Sequence, residues 1–400
     1  MSVQSSDIDL PFSLAEYADR LAKVRARMTA AGLDALVVTD PSNMAWLTGY
    51  DGWSFYVHQA VIVGPAGQPI FWGRAMDAVG CGRTAYLDGD NVVPYPDHHV
   101  MSTERHPMDH LGRLLADRGW ATGRIGVEME NYYYSAKAHA VLGAAVPGEL
   151  VDATALVNWC RAVKSAAELG FMQRAARIVE RMHQVAREMI APGLRKCDLV
   201  AEITATGYRG AEHEGIAFGG DYPAFVPLLP TGLDATAAHL TWNDAPFQTG
   251  AGTFFEIAGC YRRYHAPLCR TVYLGTPPAD MLRAEEALME GIEDGIAAAR
   301  PGYTAGDVAR AFYAVLAKRG IAREGRCGYP IGLSYPPDWG ERTYSIRPED
   351  DTELQPDMTF HFMPGLWTDA WGLEITETLH VTKHGARCLA DVPRALVVKG

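Results

Sequence analysis

Residues 14–32, LAEYADRLAKVRARMTAAG, carry Leu and Met at helical spacing and stop at Gly32, which predicts a helix with a glycine C-cap. The apolar run LDALVVTD then reads as a strand, and Pro41-Ser-Asn as a turn. An aromatic stretch follows, and after it two apolar strands joined at Gly64-Pro-Ala-Gly, the signature of a hairpin. From Gly80 to about Val151, strand-like pieces (Asn91-Val-Val-Pro-Tyr and Arg124-Ile-Gly-Val-Glu) alternate with helical ones (107–119 and 132–146). That alternation predicts an α/β domain.

A helix over Asp152 to Ser165 places Leu156, Trp159 and Val163 on one face. Beyond it the pattern changes to long helices, 166–191 and 196–210, with Pro192-Gly193 between them. The chain is strand-rich from Tyr208 to Gly275, helical again over 278–299 and 304–319, and closes with strands at Thr359–Met363 and Leu373–Thr382. The change of character puts the domain boundary near 160–166, giving an N-terminal domain of residues 1–163 and a C-terminal domain of residues 164–400.

Within the strand-rich part, Thr253-Phe-Phe-Glu-Ile and Cys269-Arg-Thr-Val-Tyr-Leu read as two strands of an antiparallel hairpin. Glu256 sits inside the first run, where a charge is costly without a partner or a task. His239 lies 17 residues earlier, before the turn-rich Asn243-Asp-Ala-Pro. A buried carboxylate with a histidine returned by a loop is an acid/base or nucleophile pair. The same Glu256 could equally be a structural partner of Arg270, and the pattern alone leaves both readings open.

Composition narrows the classes. Four hundred residues exceed the usual single core, and 48% hydrophobic with 21% charged residues describes an ordinary globular chain. A net charge of −12 argues against a nucleic-acid partner. No apolar run reaches the ~20 residues of a membrane span. Seven cysteines without a CxxC pair suggest reduced thiols, and the start MSVQSSDIDLPFS has no secretory pattern, so the expected compartment is the cytoplasm. His98-His99 and His106/His110 imitate a metal cluster but read as polar surface, and His213-Glu214-Gly-Ile-Ala217 begins like a zincin motif and ends in Ala.

Four blocks of the C-terminal part occur in a recognisable order: Val163-Lys-Ser-Ala-Ala-Glu-Leu, Gly328-Tyr-Pro-Ile-Gly-Leu, Met358-Thr-Phe-His-Phe-Met-Pro-Gly-Leu and Glu377-Thr-Leu-His-Val-Thr. On these the chain resembles the creatinase, prolidase and aminopeptidase P superfamily over nearly its whole length. The resemblance implies an α+β chain: a creatinase-like α/β domain, then a pita-bread domain around a curved antiparallel sheet. Metallopeptidases of the superfamily hold two metals with five side chains. The matching positions here are Glu256, Pro267, Tyr329, Met363 and Thr376, with Glu377 adjacent to the last. Pro267 and Met363 offer no hard donor. The resemblance is therefore to the metal-free branch typified by creatinase, with no cofactor, and His239 falls where that branch keeps its catalytic histidine.

Within that branch the chain resembles hydrolases of cyclic amidines. This implies opening of a small zwitterion, ectoine and 5-hydroxyectoine, to N-acetyl-2,4-diaminobutyrate. Glu256 would act as nucleophile or as amidinium anchor, and His239 as general acid/base. Substrate-binding candidates are Tyr329, which replaces a metal-binding His; His265, placed at the hairpin tip; His361, on one face with Met363; Arg342, for a carboxylate; and Glu377, if it rather than Thr376 faces the pocket. Trp53 and Phe55 alternate and share a face suited to a flat cation, or form a core cluster; in this superfamily the first domain often reaches a partner's site, which implies a homodimer. The alternatives are a creatinase-like amidinohydrolase on another small zwitterion, a non-catalytic binding protein, and a surviving Xaa-Pro peptidase.

Overall fold

The computed structural model describes residues 8–400, which divide into two units at Arg161/Ala162. In the first, α1 (Leu14–Ala30) begins at Ser13, whose hydroxyl accepts from the Glu16 N–H, and ends just before Gly32, at φ +66°. The strand β1 (Ala35–Val38) is buried throughout. Pro41–Thr48 is a helix, α2, where the sequence suggested a turn. Asp40 caps it by accepting from the Ser42 N–H, and Pro41 at the first helical position has no N–H to leave unpaired. All eight of its residues are buried, so no polar face marks its period.

The predicted hairpin is β2 (Ala60–Val63) and β3 (Ile70–Arg74). There follow α3 (Ala75–Thr84), β4 (Val92–Tyr95), α4 (Pro107–Asp117), β5 (Arg124–Val127), α5 (Ala136–Ala145), β6 (Glu149–Asp152) and α6 (Leu156–Arg161). The sheet runs β4-β3-β2-β1-β5-β6, with helices on both faces. Leu36 and Val38 join one core with Val24 and Met28 of α1, and Val37 joins the other with Leu111 and Leu115 of α4 and Leu142 of α5. Of the four histidines expected on a polar surface, His98 is exposed, whereas the other three serve the fold. His106 caps α4 by accepting from the Met108 N–H, His110 accepts from Trp72 Nε1, and His99 is buried.

The second unit opens on α7 (Ala166–Met189), started by a capping box of Ser165 and Glu168, and α8 (Lys196–Arg209). Short strands β7 (Ala211–His213) and β8 (Ile216–Phe218) precede the long pair β9 (Ala251–Tyr261) and β10 (Tyr264–Leu274). Leu169, Met172, Ala176, Val179, His183 and Ala186 form the buried stripe of α7, the helix that covers β9 and β10. Each large apolar side chain in it contributes roughly 1.5–3 kcal/mol. Gly259 permits the approach, since a Cβ there would lie 2.0 Å from the Ala175 carbonyl.

The β9–β10 turn is two residues, Arg262 (φ 50°) and Arg263 (φ 64°), a left-handed pair usually filled by Asn-Gly. His265 is thus paired with Cys260 inside the ladder, not at the hairpin tip, and is fully buried.

After α9 (Ala279–Ala298) and α10 (Ala305–Lys318), which pack on each other, come β11 (Gly328–Pro330), β12 (Thr359–Phe362), β13 (Gly365–Trp367), β14 (Gly372–Glu374), β15 (Glu377–Thr382), β16 (Gly385–Cys388) and β17 (Val397–Lys399). The sheets are β17-β10-β9, β11-β12-β15-β16 and the hairpin β13-β14. The strand expected over Leu373–Thr382 is broken at Ile375-Thr376. There the backbone leaves β13, and the Thr376 N–H donates to the Cys269 carbonyl of β10 at 3.1 Å. That break ties the two halves of the unit together at Cys269. Among the described residues no helix is long and apolar enough to cross a membrane.

Candidate active site

Alternation along β9 and β10 decides what faces what. Phe255 and Arg270 pair on the side covered by α7, whereas Phe254, Glu256, Cys269 and Thr271 look towards β14. The Glu256 backbone is held on both edges. Cys269 faces it in the ladder, and Leu228 exchanges two hydrogen bonds with it, at 3.0 and 3.1 Å. The residue is 5% exposed, and its carboxylate receives no hydrogen bond from the described residues. Burial pushes its pKa up to about 7.

Arg270 is not its partner. All five guanidinium N–H groups are committed elsewhere: to Pro393, Cys269, Thr376 and Val392 carbonyls and, at 2.7 Å, to Glu377. Arg394 adds a second contact to Glu377 at 3.4 Å. Glu377 therefore faces away from Glu256 and belongs to a buried ion pair, which removes it from the substrate-binding set.

The second carboxylate is Glu374, which the sequence reading overlooked. It is buried at the end of β14, with its backbone tied to the Thr271 hydroxyl and the Cys269 thiol hydrogen-bonded to its carboxylate. Burial first, and then the charge of Glu256, raise its pKa well above the usual range. Its Oε2 has no partner among the described residues. The signal was present: Glu374 stands two residues before Thr376, a position already matched to a metal ligand, so alternation brings it towards the same site.

Facing the carboxylates is a polar network. Trp339 Nε1 donates to the Tyr329 hydroxyl at 2.7 Å; that hydroxyl lies 3.1 Å from His361 Nδ1, and His361 Nε2 lies 2.7 Å from the Thr376 hydroxyl. Burial lowers the His361 pKa to about 3, so the imidazole is neutral. His265 accepts the Ala224 N–H on Nε2 at 2.8 Å, so its Nδ1 carries the proton, and that buried N–H has no partner among the described residues. The two-metal site implied by the resemblance has no donor set here. Pro267 and Met363 lack donors, and the Tyr329 and Thr376 hydroxyls are engaged with His361.

The remaining candidates are not among the groups hydrogen-bonded in this network. His239 is exposed, without a hydrogen bond to Glu256, in the segment between Ala237 and Pro246. Arg342 is exposed at φ 57°. In the N-terminal unit Trp53 and Phe55 pack against each other with ring centroids 4.9 Å apart and planes tilted by 51°, and Tyr133 lies beside Phe55.

Comparison with known proteins agrees with this architecture. The family described as Metallopeptidase family M24 matches residues 170–383, and the Creatinase/Prolidase N-terminal domain matches residues 20–163. The chain is 58% identical over 396 residues to the ectoine hydrolase of Halomonas elongata, covering 98% of this chain and 99% of that one. Among solved structures, the dipeptidase PepE of Mycobacterium ulcerans is similar with a TM-score of 0.79 at 25% identity, covering 97% of this chain and 99% of that one. A prolidase of Thermococcus sibiricus shares the fold with a TM-score of 0.81 at 18% identity, over 97% and 100% of the two chains. The chain belongs to the M24 family of pita-bread enzymes, with a creatinase/prolidase N-terminal domain in front of its M24 domain.

Proposed function

We propose that this hydrolase opens the cyclic amidine of ectoine without a metal. The observation that carries the reading is the pair Glu256 and Glu374, two buried carboxylates whose ionisation is opposed by burial and, at Glu374, by the neighbouring charge. An amidinium spreads one positive charge over two nitrogens and the carbon between them. Set against this pair, it would let both carboxylates ionise, and it presents its electrophilic carbon to whichever is aimed at it. The 58% identity to an ectoine hydrolase supports ectoine as that amidinium.

Glu256, fixed by its backbone on both edges, is the nucleophile, and Glu374 holds a ring N–H. Attack forms a bond from the Glu256 carboxylate to the amidine carbon. The ring C–N bond then breaks as the departing nitrogen takes a proton. Water attacks the Glu256-bound carbon, the Glu256 carboxylate leaves, and N-acetyl-2,4-diaminobutyrate is the product. His239 exchanges protons with this site once its exposed segment covers it, and Arg342 binds the substrate carboxylate. Tyr329, His265 and His361 complete the pocket. The same groups accept 5-hydroxyectoine, and a cytoplasmic homodimer presents Trp53 and Phe55 to the substrate.

The test is incubation of the metal-stripped protein with ectoine, with the product followed by mass spectrometry. Ring opening and a trapped adduct on the Glu256 peptide support the full reading. Ring opening with no adduct, and with Glu256→Asp still active, replaces the nucleophile by a water activated at His239. No ring opening, or turnover of creatine instead, overturns the substrate.

A further inference from the structure

The network opposite Glu256 has a property that follows from counting hydrogens. Its two outer donors are fixed. Trp339 Nε1–H only donates, and it ends on the Tyr329 hydroxyl; the Cys269 backbone N–H only donates, and it ends on the Thr376 hydroxyl at 2.7 Å. Between those ends lie two links, Tyr329 to His361 Nδ1 and His361 Nε2 to Thr376. Three hydrogens are available for them: one phenolic, one imidazole and one alcoholic.

One hydrogen is therefore always left over, and the tautomer of His361 decides where. With the proton on Nε2, His361 donates to Thr376, Tyr329 donates to Nδ1, and the Thr376 hydrogen has no acceptor among the described residues. With the proton on Nδ1, Thr376 donates to Nε2, His361 donates to Tyr329, and the Tyr329 hydrogen is surplus. Burial keeps the imidazole neutral, so both arrangements carry the same charge.

We propose that Tyr329, His361 and Thr376 form a proton relay, which takes a hydrogen from the attacking water at Thr376 and delivers one to a ring nitrogen at Tyr329. The proposal rests on the ring-opening reading and adds the path of the proton. Hydrolysis of an amidine needs such a path, because one water hydrogen must end on nitrogen. In ring opening the Tyr329 O–H bond breaks as the N–H bond forms on the departing nitrogen, which leaves a phenolate held by the Trp339 Nε1–H and the His361 Nδ1–H. When water then attacks the Glu256-bound carbon, one water hydrogen passes to Thr376, the Thr376 hydrogen to Nε2 and the Nδ1 proton to Tyr329, and the remaining hydroxide joins the amidine-derived carbon. Over the two steps no side chain of the relay ends with a changed charge, and His361 ends in its other tautomer. Tyr329 is the delivering end because its hydroxyl lies in the field of Glu256, where the cationic ring would sit. Exchange with bulk water resets the chain.

Two measurements test it. In protein labelled with 15N-histidine, the His361 signals are assigned by their loss in His361→Gln. Thr376→Val removes the partner of Nε2 and should move His361 towards the Nδ1–H tautomer. Tyr329→Phe removes the partner of Nδ1 and should move it the other way. Equal or absent shifts in the two variants, each checked for native melting, overturn the relay whatever the substrate is. With ectoine, both variants should lose about 100-fold in kcat with binding retained, and Thr376→Ser should recover most of it. The solvent proton inventory should be curved in the wild type and linear in Thr376→Val. A linear wild-type inventory, or full activity in Thr376→Val, also overturns the relay. If the wild type does not open ectoine, the ring-opening reading fails, and the opposed tautomer shifts still decide whether the chain is mobile.

Discussion

Arg270 is bound to Glu377 at 2.7 Å, with the two side chains only 4% and 2% exposed, although Glu256 is the acid one residue from Arg270's ladder partner. The two acids consequently have opposite energetics. Glu377 has a paired charge, and replacing one member of a buried pair strands the other, at a cost of about 3–5 kcal/mol. Glu377→Gln should therefore lower the denaturation midpoint markedly. Urea unfolding checks it, and a variant as stable as wild type would show that the pair carries little.

Glu256 should behave in the opposite sense. Its folded pKa, about 7, lies above its ordinary value of 4.5, so between those values the folded protein holds a proton that the unfolded chain has released. Stability contributed by the protonated form is complete below about pH 4.5 and falls away as the pH rises towards 7. Glu256→Gln removes this loss. The variant should match wild type in acid and exceed it by on the order of 3 kcal/mol near pH 8, while losing activity. Melting curves of the two proteins across pH 4–8 compare them. Parallel curves would mean that Glu256 ionises freely in the fold.

Glu374 was not identified from the sequence, and it should matter as much as Glu256 for substrate. Glu374→Gln keeps the volume and one acceptor but removes the charge, so kcat/KM for ectoine should fall about 100-fold or more with the fold intact. Loss confined to stability, with unchanged kcat/KM, would leave Glu374 as a buried structural acid.

The sequence carried the two-domain α+β organisation because each long helix shows its stripe: α7, α9 and α10 lie within about two residues of the predicted spans. It missed α2, since a helix buried on every side has no period to read. The burial of Glu256 inside a strand of the long hairpin was legible from local pattern. The identity of Arg270's partner was not, because it depends on which way a strand turns at Ile375-Thr376, and that break is dictated by a hydrogen bond to Cys269 about a hundred residues away. His265 was misplaced for a similar reason. A turn made of two arginines gives no glycine signal, so the strand was started too late.

His239 presents a different case, a side chain placed by homologous position but exposed in the fold. An exposed residue with no hydrogen bond to the core should be replaceable at little cost, so His239→Ala should change stability by no more than about 0.5 kcal/mol. If its segment closes over Glu256 during turnover, the same variant should lose about 100- to 10,000-fold in kcat. A kcat within a few-fold of wild type would transfer proton handling entirely to the network around His361.

The acid limb of the pH profile separates the two carboxylates. kcat/KM reports the free enzyme, so it should rise with pH through about 7 as Glu256 ionises. Burial is the cause of that raised value, and burial and then the charge of Glu256 raise Glu374. The surviving activity of Glu374→Gln should then show an acid limb still near pH 7, at a much reduced height. A limb moved well below 7 in that variant would mean that Glu374 is charged in the free enzyme and raises Glu256 by repulsion.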